Sequence, residues 1–240
     1  GLGCGLIAAA TSGSVGAVAR APLFDRATRP LGLQLYTLGT EFARDDEGLF
    51  ARLAALGYRR FQCDLPRLEQ PAFRAAAARH GLTAPSVHLD PVAFRPDAAD
   101  GDGSAFERLA DRIALTGAVH AGPSIFPFPL TALANLREPF AAAIPRLSAA
   151  MSVDDWKRIA DLLNRRGAVL KRRGVRLFYR NHNLEFRPVE NTTPLHLLIE
   201  NTDPGLVDFE LDAGWVVAAG HDPIALLRRH HGRFRLMHVK

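Results

Sequence analysis

Lysine is nearly absent from this chain: among 240 residues only Lys157, Lys171 and Lys240 occur, and arginine carries almost all the positive charge. Cysteine is scarcer still, with Cys4 and Cys63 alone, which excludes a disulfide-built scaffold. There is no run of basic residues with interleaved aromatics. The formal charge of +5 therefore reads as an arginine-rich surface and not as a nucleic-acid footprint. No glycine-rich phosphate loop follows the first strand-like segment, which argues against a dinucleotide-binding fold. The apolar stretch at residues 6–10 is too short to span a bilayer as a helix. What remains is a chain of 48% hydrophobic and 23% charged residues, a balance that excludes disorder and suits one large soluble domain.

Residues 1–21 are small and apolar, with no charge before Arg20, and Ala19-Arg20-Ala21 fits a small-x-small signal-peptidase site. We read this segment as the remnant of an export signal and residues 22–30 as a linker. A periplasmic or secreted location follows, or a cytoplasmic one if the segment is not a signal. No membrane association is expected once the signal is removed. The chain begins at Gly1 without Met and ends at Lys240 directly after an apolar strand-like run, so both ends read as cut.

From residue 31 strand-like and helix-like segments alternate. Strands are expected at residues 31–38, 58–65, 84–89, 118–126, 175–182, 206–212 and 234–239. Helices are expected at 45–56, 69–80, 105–115, 153–172, 194–200 and 224–230, several of them closed by a glycine. Residues 127–150, with four prolines, read as a long loop with short helical pieces. Seven strands alternating with helices predict a parallel sheet covered by helices, and right-handed crossovers would curl it into an α/β (β/α)8 TIM barrel spanning residues 31–240. A doubly wound sheet is the competing topology. On this count the last strand and its helices are expected beyond Lys240.

The active site of such a barrel lies at the C-terminal ends of its strands. The fifth strand ends in Arg180-Asn181-His182-Asn183-Leu184-Glu185, the sixth carries Glu210 and Asp212, and the seventh ends in His238 and Lys240. Glu185, Asp212 and His238 thus converge on one rim, a ligand set suited to Mn, Mg, Co or Zn as a divalent metal. Such an ion could stabilise the enediolate formed when a proton leaves the carbon next to a carbonyl. Glu190 is an alternative to Glu185, and Glu210 reads as a supporting residue. His88 and His120, in early strands, have a structural role as their plainer reading, although His88 also belongs to the substrate-binding candidates with Arg180 and Trp215. Tyr36 and Trp215 could be core or sugar-stacking residues.

The segments LGLQLYTL, ALGYRRFQ and FYRNHNLEF, and residues 200–240 nearly throughout, resemble the xylose-isomerase-like sugar phosphate isomerase/epimerase family. The resemblance implies a metal-dependent barrel acting on a sugar or keto-sugar. It implies metal ligands at Glu185, Asp212 and His238 plus a glutamate after Lys240. His182 and Lys240 would face the substrate and share the catalytic work with Glu185, or His182 would brace the ligands. Exported members resemble enzymes that process 3-keto-glycosides by elimination or hydration. Two positions depart from the family pattern: Arg180 stands where His is usual, and Asn183 where Asp is usual. A homo-oligomer is compatible with this reading. A non-catalytic sugar-binding barrel and a DNA-repair endonuclease are the rival functions, the latter needing a larger ligand cluster than the sequence offers.

Overall fold

The computed structural model describes residues 31–43, 45–95, 103–128, 137 and 139–240. The proposed export segment, the linker and much of the loop around Pro129 lie outside the described residues. Seven strands form one all-parallel sheet in sequential order: β1 (Gly32–Gln34), β2 (Arg60–Asp64), β3 (Thr83–Leu89), β4 (His120–Pro123), β5 (Arg176–Arg180), β6 (Val207–Asp212) and β7 (Phe234–His238). A flat sheet would place β1 and β5 roughly 19 Å apart. Instead Arg180 Nη1 donates to Gln34 Oε1 at 3.0 Å, so the sheet is curled with its inner faces together. This is the seven-stranded part of a TIM barrel, and it excludes the doubly wound alternative.

The helices are α1 (Asp46–Ala55), α2 (Leu65–Leu68), α3 (Pro71–Arg79), α4 (Ser104–Leu115), α5 (Phe140–Ala149), α6 (Val153–Lys171), α7 (Pro194–Asn201), α8 (Ala213–Ala218) and α9 (Pro223–Arg229). Their starts follow local chemistry. Asp45 caps α1 by accepting from Gly48 N, and Ser152 and Asp155 form a capping box at α6. Outward residues of the strands, such as Leu177, Tyr179, Phe209 and Leu211, pack under helical side chains including Trp156 and Leu163 to make the core.

Three expectations need correction. The first strand stops at Gln34, and residues 35–43 form 3-10 helical turns broken at Gly39, with Thr37 Oγ1 donating to the Gln34 carbonyl where a strand would continue. The helix expected from residue 69 starts at Pro71, and the strand expected to run to residue 65 gives way after Asp64 to a separate turn of helix, α2. Within the expected loop of residues 127–150, α5 runs ten residues despite Pro145 inside it.

The lumen departs from the usual apolar filling of such barrels. Alternation places Asp208, Glu210 and Asp212 on the inner face of β6 and Arg176, Phe178 and Arg180 on that of β5. At the floor Arg176 grips Asp208 with Nε and Nη2 at 2.9 and 2.6 Å, and His120 Nε2 lies 3.8 Å from the same carboxylate. His120 therefore starts its strand and does not end it.

Candidate active site

The rim is organised around one carboxylate. Asp212 is fully buried at the end of β6, and its two oxygens have different work. Oδ1 accepts from Trp215 N at 3.1 Å and caps α8, the short helix that begins at the next residue. Oδ2 faces three basic groups: Lys240 Nζ at 3.0 Å, His238 Nδ1 at 3.2 Å and Arg180 Nε at 3.6 Å. Burial alone would raise the Asp212 pKa, but His238, the Trp215 amide and Lys240 outweigh it and hold the group at about 2. It is an anion at any physiological pH.

Each partner is positioned separately. β6 and β7 pair Asp212 with His238 directly. Lys240 lays its stem over Gly214, where an added Cβ would stand 2.6 Å from Lys240 Cγ, and its ammonium lies 4.2 Å from the centre of the Trp215 ring. Arg180 is buried, and its contact to Gln34 continues through the Gln34–Gln62 hydrogen bond to Ser86 Oγ, 2.9 Å from Gln62 Nε2. This chain of donors and acceptors fixes the guanidinium. Asn181 extends the β5–β6 ladder with its side chain, accepting from Asp212 N at 3.0 Å and donating to Asp212 O at 3.3 Å.

Glu185 does not join this group. Its Oε1 accepts from Tyr179 Oη and its Oε2 from His182 N, both at 2.8 Å. Tyr179 lies on the outer face of β5, opposite Phe178 and Arg180, and Glu185 Oε1 also stands 3.7 Å from Nδ1 of His182. Burial and the neighbouring Glu185 charge push the Tyr179 pKa well up, which keeps it a hydrogen-bond donor. Among the described residues, no three His, Cys, Asp or Glu side chains gather where they could hold a metal ion. Among the described residues the expected ligand triad thus comes together only as the Asp212–His238 pair, with the cations of Lys240 and Arg180 beside it. Glu190 offers no substitute, for it stands exposed in a turn with φ of 53°.

Of the other expected site residues, His182 is buried at the rim, its ring 6.0 Å from that of Trp215. His88 lies one layer deeper, with Nε2 3.9 Å from Glu210 Oε2, and neither atom has a hydrogen-bond partner. Tyr36 is largely exposed. Gln34, Gln62, Ser86, Tyr179 and Asn181 take part in the site although the sequence did not single them out as site candidates.

Burial lowers the His88 pKa, with Arg180 and His182 adding to the effect against the pull of Glu210, and burial likewise lowers that of His120. The unfolded chain then binds more protons than the fold once pH drops through about 6.5, the ordinary histidine value. Stability should be intact above that pH and decline below it towards the folded pKa values. Unfolding temperatures from pH 7.5 to 5.5 should fall in the wild type and fall less in His88→Gln. Equal slopes would rule out the histidine as a source.

A profile of the xylose isomerase-like TIM barrel matches residues 50–240, and the chain belongs to that family. An inosose dehydratase from Clostridium tetani (strain Massachusetts / E88) is 34% identical over 87 residues, covering 36% of this chain and 28% of that protein. The chain therefore matches well under two thirds of this relative's length. A solved sugar phosphate isomerase/epimerase from Parabacteroides distasonis ATCC 8503 superposes with a TM-score of 0.72 at 24% identity, over 87% of this chain and 74% of that one. D-psicose 3-epimerase from Clostridium cellulolyticum H10 gives 0.61 at 14% identity, over 87% and 72%. Both share the fold.

Proposed function

We propose that the protein is an enzyme that converts a sugar or keto-sugar by moving a proton on the carbon next to a carbonyl, as an isomerase or epimerase does. The observation that carries this reading is the cluster on Asp212 Oδ2, which brings an imidazole and two cations to one rim. Asp212 Oδ2 lies 3.2 Å from Nδ1 of His238, which leaves Nε2 to act as the base. His238 Nε2 takes the proton from carbon, and the electron pair moves into the adjoining carbonyl to give an enediolate. Lys240 Nζ and Arg180 Nε lie where they can meet the new negative charge on oxygen. His182, whose ring lies 6.0 Å from that of Trp215, can return a proton to the neighbouring carbon.

A second reading shares the first step. Expulsion of a hydroxyl from the enediolate is a dehydration, the lyase alternative, and the likeness to an inosose dehydratase favours it. Incubation with keto-sugars and an inosose in D2O, followed by NMR, separates these outcomes. Deuterium on the carbon beside the carbonyl with a new isomer supports the first reading. A new double bond with loss of water supports the second. Thermal stabilisation by these compounds without exchange or turnover would overturn both in favour of a binding protein.

A further inference from the structure

We propose that in this protein side-chain cations, and not a divalent metal, neutralise Asp212, with Arg180 and Lys240 supplying the charge that receives the oxyanion of a carbonyl-bearing sugar. The inference concerns the same site as the proposed function and rests on that reading for its substrate, but its charge arrangement is independent of turnover.

Four observations lead to it. First, Lys240 Nζ and Arg180 Nε both converge on Oδ2, the carboxylate oxygen not used to cap α8. A doubly charged ion bound there would sit against a guanidinium that does not deprotonate. Second, Arg180 is built into the barrel: it is 6% exposed, and the Gln34, Gln62 and Ser86 chain holds it from across the lumen. Third, the other acids of the rim are turned elsewhere. Glu185 is held by Tyr179 and the His182 amide, and Glu210 faces His88 one layer down. Among the described residues this leaves one carboxylate and one imidazole on the rim, beside a buried guanidinium that repels a divalent ion. Fourth, Arg180 Nε is buried and lacks a hydrogen-bond partner, since its approach to Asp212 is too long for one. A buried N–H with no acceptor is costly, and an oxyanion in the mouth would satisfy it.

The same geometry says what a single change would do. Position 180 faces Asp212, so Arg180→Glu would remove the competing cation and add a third donor beside Asp212 and His238. The test is calorimetric titration of EDTA-treated protein with MnCl2 and CoCl2, with visible absorption to follow Co2+. The wild type should bind more weakly than about 1 mM. Arg180→Glu should gain on the order of 100-fold and a Co2+ spectrum, and Arg180→Gln on the order of 10-fold. Wild-type protein that binds one Mn2+ or Co2+ per chain at micromolar concentration, with the binding lost in Asp212→Asn, overturns the proposal. So does a folded Arg180→Glu, or a folded Arg180→Gln should the first not fold, that gains nothing. These titrations need no substrate, so a failure to turn over keto-sugars and a failure of the metal-free centre are separate results.

Discussion

Asp212→Ala should abolish turnover and cost the fold about 3 kcal/mol or more, which is large for one rim residue. The substitution leaves Lys240, His238 and Arg180 facing one another with no anion between them. Removing one member of a buried ion cluster is more harmful than never having had it, because the remaining charges stay desolvated. The cap of α8 is lost as well, at roughly 1 kcal/mol. Asp212→Asn divides the two roles, since an amide oxygen can still accept from Trp215 N but brings no charge. It should recover the cap and not the activity, which should remain down by about 1,000-fold. Denaturant melts and product formation on the three proteins provide the check. An Asp212→Ala protein within about 0.5 kcal/mol of wild type would show that the cluster is not a stabilising unit.

Gly122→Ala is expected to destabilise by about 3 kcal/mol through a methyl group alone. Gly122 lies in β4 beside Phe178 of β5, and a Cβ there would stand 2.0 Å from Phe178 O and 2.9 Å from its carbonyl carbon. Backbone cannot yield as the tip of a long side chain does, so the strands must part. β4 and β5 are joined by only two registered pairs, His120 with Arg176 and Ala121 with Leu177, so little ladder is available to resist. The shift would carry on to Arg180, two residues past Phe178, so binding of any oxyanion should weaken together with stability. Urea midpoints measure the first effect, and an unchanged midpoint would mean that the approach of these two strands is looser than described.

The barrel was legible because apolar residues recur with strand or helix spacing and glycines punctuate them, which a local reading can follow. Residues 153–172 and the observed α6 differ by one residue at the end. The 3-10 helix after Gln34 was not legible, since LYTL has the composition of a strand and Thr37 decides the matter by a hydrogen bond to the backbone. α8 was missed for the opposite reason: AGWVVA shows no polar face, and its start is fixed by a carboxylate assigned to chemistry. Within the site, spacing along strands placed Asp212, His238 and Lys240 together correctly. Glu185 lies beyond the strand end, where alternation no longer tells which side a side chain takes, and there Tyr179 Oη and the His182 amide hold its carboxylate. Arg180 was visible as an unusual residue, but its partner Gln34 is 146 positions away and no local pattern links them.

The buried anion of this rim, Asp212, is also the acceptor that caps a helix. Neutralise it, by a proton or by a ligand that draws its charge away, and the backbone N–H of Trp215 has a poorer acceptor. Hydrogen exchange at that single amide then quickens or slows with the electrical state of the mouth. The fold therefore carries its own gauge of occupancy, read from the backbone and not from the ligand.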